Sequence, residues 1–259
     1  MSGRPVEPRQ PALSTGLRLA MALRSLALQA SWNPRRMQHM GLLSVMMPWA
    51  RDRRLDRREL RRLCRDHFGY FNTNPYLANY VVGGVLRLEE DARRSGGGYE
   101  RTVRSFKETV GRALASLGDQ LFWLGLQPAL LMLGVLLGLG APAWAVLMPV
   151  GAFSFWQLVL RYRSLGDGYR LGMDIADLLG APFWHQAIHV LKRVGAVLTG
   201  VFAAWMVAAA ADLARRPDGP EAVLGLVLAT GLALWLRRRA PGEAVLLLLL
   251  PLALVLTYL

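Results

Sequence analysis

Apolar and polar positions are distributed differently in the two halves of the chain. Up to about residue 120 leucines alternate with arginines at helical spacing, and beyond it long apolar runs are separated by short polar turns. Residues 121–139 approach the ~20 apolar residues that cross a hydrocarbon core, and Gly140-Ala141-Pro142 supplies their turn. Residues 143–160 return and stop at Arg161 and Arg163. Residues 164–186 are rich in Gly and Asp and are not expected to span. A third span is predicted over residues 194–211, a short fourth over 222–236 and a fifth over 244–259. The shorter ones need local thinning of the bilayer or burial among neighbouring helices. The pattern predicts an all-α, polytopic integral membrane protein with re-entrant or interfacial helices in its N-terminal half.

That half begins with a polar tail, residues 1–14. Leucines at helical spacing, with Arg18 and Arg24 among them, predict an amphipathic interfacial helix over residues 15–30. Asn33-Pro34 follows, and a capping side chain before proline predicts a helix start. Residues 41–50 are apolar but interrupted by Pro48, and residues 51–65 read as one basic helix. From His67 to Glu90 an aromatic run leads to Asn72-Thr73-Asn74, then Pro75, then an apolar segment containing Gly83-Gly84. Asn74-Pro75 repeats the helix-start grammar. The apolar part is about half the length of a span, which predicts a re-entrant segment around a polar cavity. The plainer alternative is a buried half-helix with a solvated turn. Glu89 and Glu90 are expected at a solvated helix end, paired with Arg87 or Arg93. The Ser95 to Gly98 stretch marks a flexible boundary, followed by an amphipathic helix over residues 99–117. Four regions result: the tail 1–14, the amphipathic and re-entrant region 15–95, a linker helix with a hairpin and a Gly/Asp-rich segment over 96–187, and C-terminal spans over 188–259.

Composition supports the membrane assignment: 53% of residues are hydrophobic and 19% charged, with mean hydropathy +0.27. A net charge of +13 would suggest nucleic acid in a soluble protein. Here the arginines precede or flank apolar segments, so membrane topology and anionic lipid account for them, and no nucleic-acid partner is expected. Arg237-Arg238-Arg239 should stay in the cytoplasm. That puts the N-terminal half in the cytoplasm and the C-terminus outside. Cys64 is the single cysteine, so no intrachain disulfide forms. No cleavable signal peptide is expected, because the first fifteen residues lack an apolar core. His185 and His189 have the spacing of a zinc pair, but Gln186 stands where metalloprotease chemistry needs a glutamate. No catalytic residue, metal or cofactor is expected.

Five motifs occur in one order: SWNPRRMQ at 31–38, FNTNP at 71–75, LRLEEDARR at 86–94, LGDQLFW at 117–123, and LVLRYRSLGDGYRLGMDIADLL at 158–179. From about residue 23 to about residue 207 the chain resembles the IID membrane subunit of the mannose/fructose/sorbose family of the bacterial phosphotransferase system. The resemblance implies a subunit that pairs with a IIC subunit in the inner membrane, so that the two carry a hexose across as a hetero-oligomer. Soluble IIA and IIB proteins would relay phosphate through their own histidines, and IIB would phosphorylate the arriving sugar. The IID chain would carry no phosphate and would dock IIB on its cytoplasmic face. Hexose hydroxyls call for amides and carboxylates beside an aromatic face. Trp32, Asn33, Gln38, Asn72, Asn74 and Asp119 offer these groups and are the candidate substrate-binding residues. The sequence departs from the family around Asp119, where Arg112-Ala113 and Gln120 replace a Gly-Pro pair and a proline. Losing those breaks predicts a more regular helix. A member that has lost transport, serving as a membrane anchor or regulatory partner of phosphotransferase proteins, is the alternative. A lipid-directed membrane enzyme using Asp119, His185 and His189 is a weaker third.

Overall fold

In the computed structural model of the protein, the described residues are 13–96 and 98–214. The fourth and fifth apolar runs and the Arg237 to Arg239 cluster lie outside them. Two units are distinguished, Met1–Leu198 and Thr199–Leu259; of the second, the described part continues a helix. Among the described residues the α-helices are α1 Thr15–Arg24, α2 His39–Asp52, α3 Arg57–His67, α4 Ala78–Arg94, α5 Glu100–Gly118, α6 Gln127–Gly138, α7 Ala143–Leu171, α8 Ile175–Leu179 and α9 Pro182–Ala214. An eight-residue π-helical stretch, Asp119–Leu126, joins α5 to α6.

Helix α4 is the centre of the first unit. Thirteen of its seventeen residues are buried, including Val81, Val82, Val85 and Leu86. Its first half is apolar or small on nearly every side, the pattern of a helix surrounded by protein. Its closest neighbour is α7, and the contact is backbone against backbone. A Cβ at Gly83 would lie closer than 3 Å to Leu165 O and Tyr169 N, and one at Gly168 closer than 3 Å to Tyr80 O. Such small-residue crossings let membrane helices approach closely. On another side Gly84 receives the Phe106 ring of α5. The turn before α4 is also enclosed: Thr73 and Asn74 are buried. The solvated turn of the plainer alternative is therefore absent.

Among the described residues, three helical stretches are long and apolar enough to cross a membrane: Glu100–Gly138, Ala143–Leu179 and Pro182–Met206. They match the first three predicted spans but run longer. Helix α7 does not stop at Arg161 and Arg163. It continues to Leu171 and ends where Gly172 adopts φ +53°, because its Gly-containing second half packs on α4. The expectation of a more regular helix after Gly118 is corrected too. The helix is unbroken, but Asp119–Leu126 is π-wound. Pro128 lies in the first turn of α6; it has no N–H to offer and crowds the preceding carbonyls, which a wider turn relieves.

Two further boundaries move. The basic segment 51–65 is not one helix. Arg54 takes φ +50°, and Asp56 starts α3 in a capping box with Glu59. Glu89 and Glu90 are not a solvated helix end either. Glu89 pairs with His67 Nε2 at 3.1 Å. Glu90 accepts from Arg53 Nε at 2.8 Å and from the Tyr169 hydroxyl. Arg87 and Arg93 instead pair with Asp91 and Glu59. The packing of α3 and α7 over the end of α4 brings these carboxylates inside, where they take buried partners. Burial works against the Arg53 charge, but Glu90 and the Tyr169 hydroxyl outweigh it and hold the guanidinium above its usual pKa.

Two expected outcomes test this packing. Gly83→Ala or Gly168→Ala should destabilise the solubilised chain by at least the roughly 1–3 kcal/mol of an overpacked core, read as a lower thermal midpoint. Gly151→Ala, with open space at its Cβ, should leave that midpoint unchanged or raised. Glu90→Gln should cost between the ~1 kcal/mol of an exposed ion pair and the ~3–5 kcal/mol of a buried one, measured by the same melt.

Candidate functional site

The two asparagine–proline segments form different structures. At the first, the Asn33 side chain accepts from Arg36 N at 2.9 Å, and Met37 N donates back to Asn33 O at 2.8 Å. Met37 takes φ +54°. The chain thus closes a tight loop, and no helix starts there. Helix α2 begins at His39, five residues beyond Pro34. At the second, Asn74 Oδ1 accepts from Tyr76 N at 3.1 Å and Asn74 O from Leu77 N at 3.1 Å. This capped turn feeds α4 at Ala78, so here the grammar does announce a helix, three residues late.

The loops then pair with each other. Gln38 N donates to Phe71 O at 2.8 Å, and Phe71 N to Arg36 O at 3.3 Å. The Gln38 amide completes the seam like a strand neighbour: Nε2 donates to Thr73 O at 2.8 Å, and Oε1 accepts from Thr73 N at 3.1 Å. One residue on, Asn74 Nδ2 donates to Asp119 Oδ1 at 3.1 Å, with Gly118 leaving room for the Asn74 side chain. Asn33, Gln38, Asn74 and Asp119 thereby fall on one continuous line of contacts.

Their duties differ. Gln38 and Asn74, each 1% exposed, use their amides to hold the seam. Asn33 is occupied with its own turn. Asp119 is exposed, and its Oδ2 has no hydrogen bond among the described residues. Asn72 is half-buried and lines a cavity of about 200 Å³ with Lys107, Glu108 and Arg112. Trp32, 49% exposed, stands at the loop edge. The six residues do not enclose a single pocket.

A second polar cavity, about 210 Å³, was not anticipated from the sequence. It is lined by Ser25, Gln29, Tyr76, Trp123, Gln157 and Arg161. Tyr76 and Trp123 are 5.7 Å apart between ring centres. Each lies beside a residue already singled out, Tyr76 two past Asn74 and Trp123 four past Asp119. In the sequence Arg161 reads only as a charge ending a span. An arginine followed by more helix was the available signal.

Gln38→Leu removes both bonds to Thr73 and leaves a buried N–H and C=O without partners. Each such group costs about 1–3 kcal/mol, so the thermal midpoint should fall well below that of Asn33→Ala, whose turn is half-exposed.

Known proteins resemble this chain along most of its length. The family described as "PTS system mannose/fructose/sorbose family IID component" matches residues 12–258. The mannose-specific EIID component of Escherichia coli K12 is 30% identical over 181 residues, covering 70% of this chain and 62% of that protein. The fructose permease IID component of Bacillus subtilis 168 is 30% identical over 162 residues, 62% of this chain and 59% of that protein. The chain thus spans about six-tenths of the length of these relatives. A solved structure entitled "CryoEM Structure of Mannose Transporter ManYZ and Microcin E492 (MceA) complex" aligns with TM-score 0.58 and 26% identity, over 74% of this chain and 70% of that one. With three helices apolar enough to cross a bilayer among the described residues, and a family match running nearly end to end, this inner-membrane protein belongs to the IID components of the mannose/fructose/sorbose family of the phosphotransferase system.

Proposed function

We propose that the chain is the IID subunit of a sugar permease. With a IIC subunit it lines the path of a hexose, and IIB phosphorylates that hexose on entry with phosphate supplied through IIA. The observation that carries this reading is the seam itself: two polar loops and a π-helical turn meet at the head of the buried helix α4 through Gln38–Thr73 and Asn74–Asp119. A ring of hydroxyls needs donors and acceptors fixed in advance, because groups left to reorient lose much of their binding energy. Gln38 and Asn74 act as positioning residues. Asn72, the second oxygen of Asp119 and the face of Trp32 are the groups left to meet a sugar, with Asn33 shaping the Trp32 loop. The names of the two relatives suggest mannose or fructose as the hexose class.

In this reading the seam opens toward the IIC subunit in a hetero-oligomer. The arginine-rich first half faces the cytoplasm, where IIB docks, and the C-terminus faces outside. The chain itself performs no chemistry.

The test is uptake of labelled mannose and fructose by cells that lack their own permeases and express this chain with its IIC, IIB and IIA partners. Asn72→Ala and Asp119→Asn should each reduce uptake by about tenfold or more at unchanged chain level, the scale of one lost hydrogen bond to a charged or buried group. Absence of uptake by the unaltered set would favour a membrane anchor without transport. Normal uptake by both variants would remove these residues from the path.

A further inference from the structure

Arginines on the descending half of α7 and on α1 are held in an unusual way. Arg18 lies over the Tyr162 ring, 4.1 Å from its centre, and Nη2 donates to Tyr162 O at 3.2 Å. Arg24 Nη1 donates to Ser44 O at 3.3 Å. Arg161, 5% exposed, donates from Nη1 to Ser25 O at 2.8 Å and to Ser25 Oγ at 3.3 Å, and from Nε to Gln157 Oε1 at 3.3 Å. Arg163 is exposed. None of these four forms an ion pair among the described residues, whereas six other arginines, at the end of α2, on α3 and α4 and late in α7, do. Carbonyls, polar side chains and a ring orient the guanidinium groups of Arg18, Arg24 and Arg161 without neutralising them.

Arg161 is the acute case. A buried charge without a counter-charge is costly, yet the fold holds this one at two of its nitrogens. Its Nη2 has no hydrogen bond among the described residues, and the side chain lines the 210 Å³ cavity with Gln29, Gln157, Tyr76 and Trp123. An oxyanion is the ligand such a lining recognises. The surroundings specify its source. Leu19, Leu23 and Leu26 are exposed on one flank, and Trp123 and Leu124 on the other. Arg161 directly follows the apolar run 143–160, the level at which a spanning helix leaves hydrocarbon for headgroups. Basic pockets between helices at that level take anionic lipid headgroups.

We propose that the cavity around Arg161 binds the headgroup of an anionic phospholipid. Its phosphate meets the guanidinium of Arg161, its polar substituent meets Gln29 and Gln157, and its acyl chains lie along the exposed leucines of α1. None of the groups proposed to meet the sugar, Trp32, Asn72 and Asp119, lines this cavity, and the proposal depends only on the chain residing in a membrane. A soluble phosphate ester offers the same oxyanion, so the test separates the two.

The full chain, purified in detergent and stripped of lipid, is titrated with phosphatidylglycerol, phosphatidylcholine or mannose 6-phosphate. Thermal melting and native mass spectrometry are the readouts. Phosphatidylglycerol should raise the melting midpoint by several degrees and remain bound at one copy per chain, and phosphatidylcholine should do neither. Arg161→Gln should weaken phosphatidylglycerol binding at least tenfold, with Arg161→Lys intermediate. Should Arg161→Gln fail to fold, Gln29→Leu on the exposed rim carries the test: it should weaken lipid binding severalfold at an unchanged lipid-free midpoint. Equal binding of the two lipids, undiminished binding in the Arg161 and Gln29 variants, or displacement of the lipid by mannose 6-phosphate would each overturn the proposal.

Discussion

The crossing of α4 and α7 without intervening side chains is the constraint on which the first unit rests. Gly83 and Gly168 allow backbones to touch, and that proximity sets the other long-range bonds. Asn79 Nδ2 reaches Arg161 O at 2.8 Å and Ser25 Oγ at 3.0 Å, tying α4 at once to α7 and to the end of α1. Near the other end of α4, Tyr169 and Arg53 both meet Glu90. A helix that buries nearly all its faces could not keep two glutamates and an asparagine inside unless each had a partner at a fixed distance. The crossing provides those distances.

From this frame the polar seam follows. Helix α4 enters through the Asn74 turn, and the turn is held from outside by Gln38 and from below by Asp119. The seam uses side-chain amides to imitate a strand pairing where only isolated bridges form. Amides fixed in this way give up their freedom to bind ligand, but they define where neighbouring groups stand. The candidate residues therefore divide into those that hold the seam and those that it presents.

Much of this was legible in the chain. Long apolar runs announce spans because hydrocarbon thickness sets their length, and the capping pair at Asn74 announced α4 because an apolar segment followed it. The same pair at Asn33 misled, since Arg35, Arg36 and Met37 follow and offer no apolar face to bury. Arg161 looked like the end of a helix because an arginine after an apolar run ordinarily closes one, yet α7 runs on to Leu171. Its charge is tolerated through Ser25, far away in sequence, and no local pattern reveals that partner. Glu89 and Glu90 looked solvated for the same reason: their cover comes from α3 and α7. The polar seam was anticipated as a gathering of asparagines, but not that Gln38 would be its clasp.

The π-wound stretch between α5 and α6 carries a geometric effect of its own. Each π turn holds about one residue more than an α turn, so every side chain after the stretch is set back around the axis relative to an uninterrupted α-helix. Val103, Phe106, Val110 and Leu114 face the core along α5, yet that stripe is not continued along α6, where only Ala129 is buried. One long rod thus serves two environments, its α5 part set against the core and its α6 part carrying exposed apolar residues such as Leu131 and Val135. A sequence one residue shorter within this stretch would keep the rod and lose the rotation.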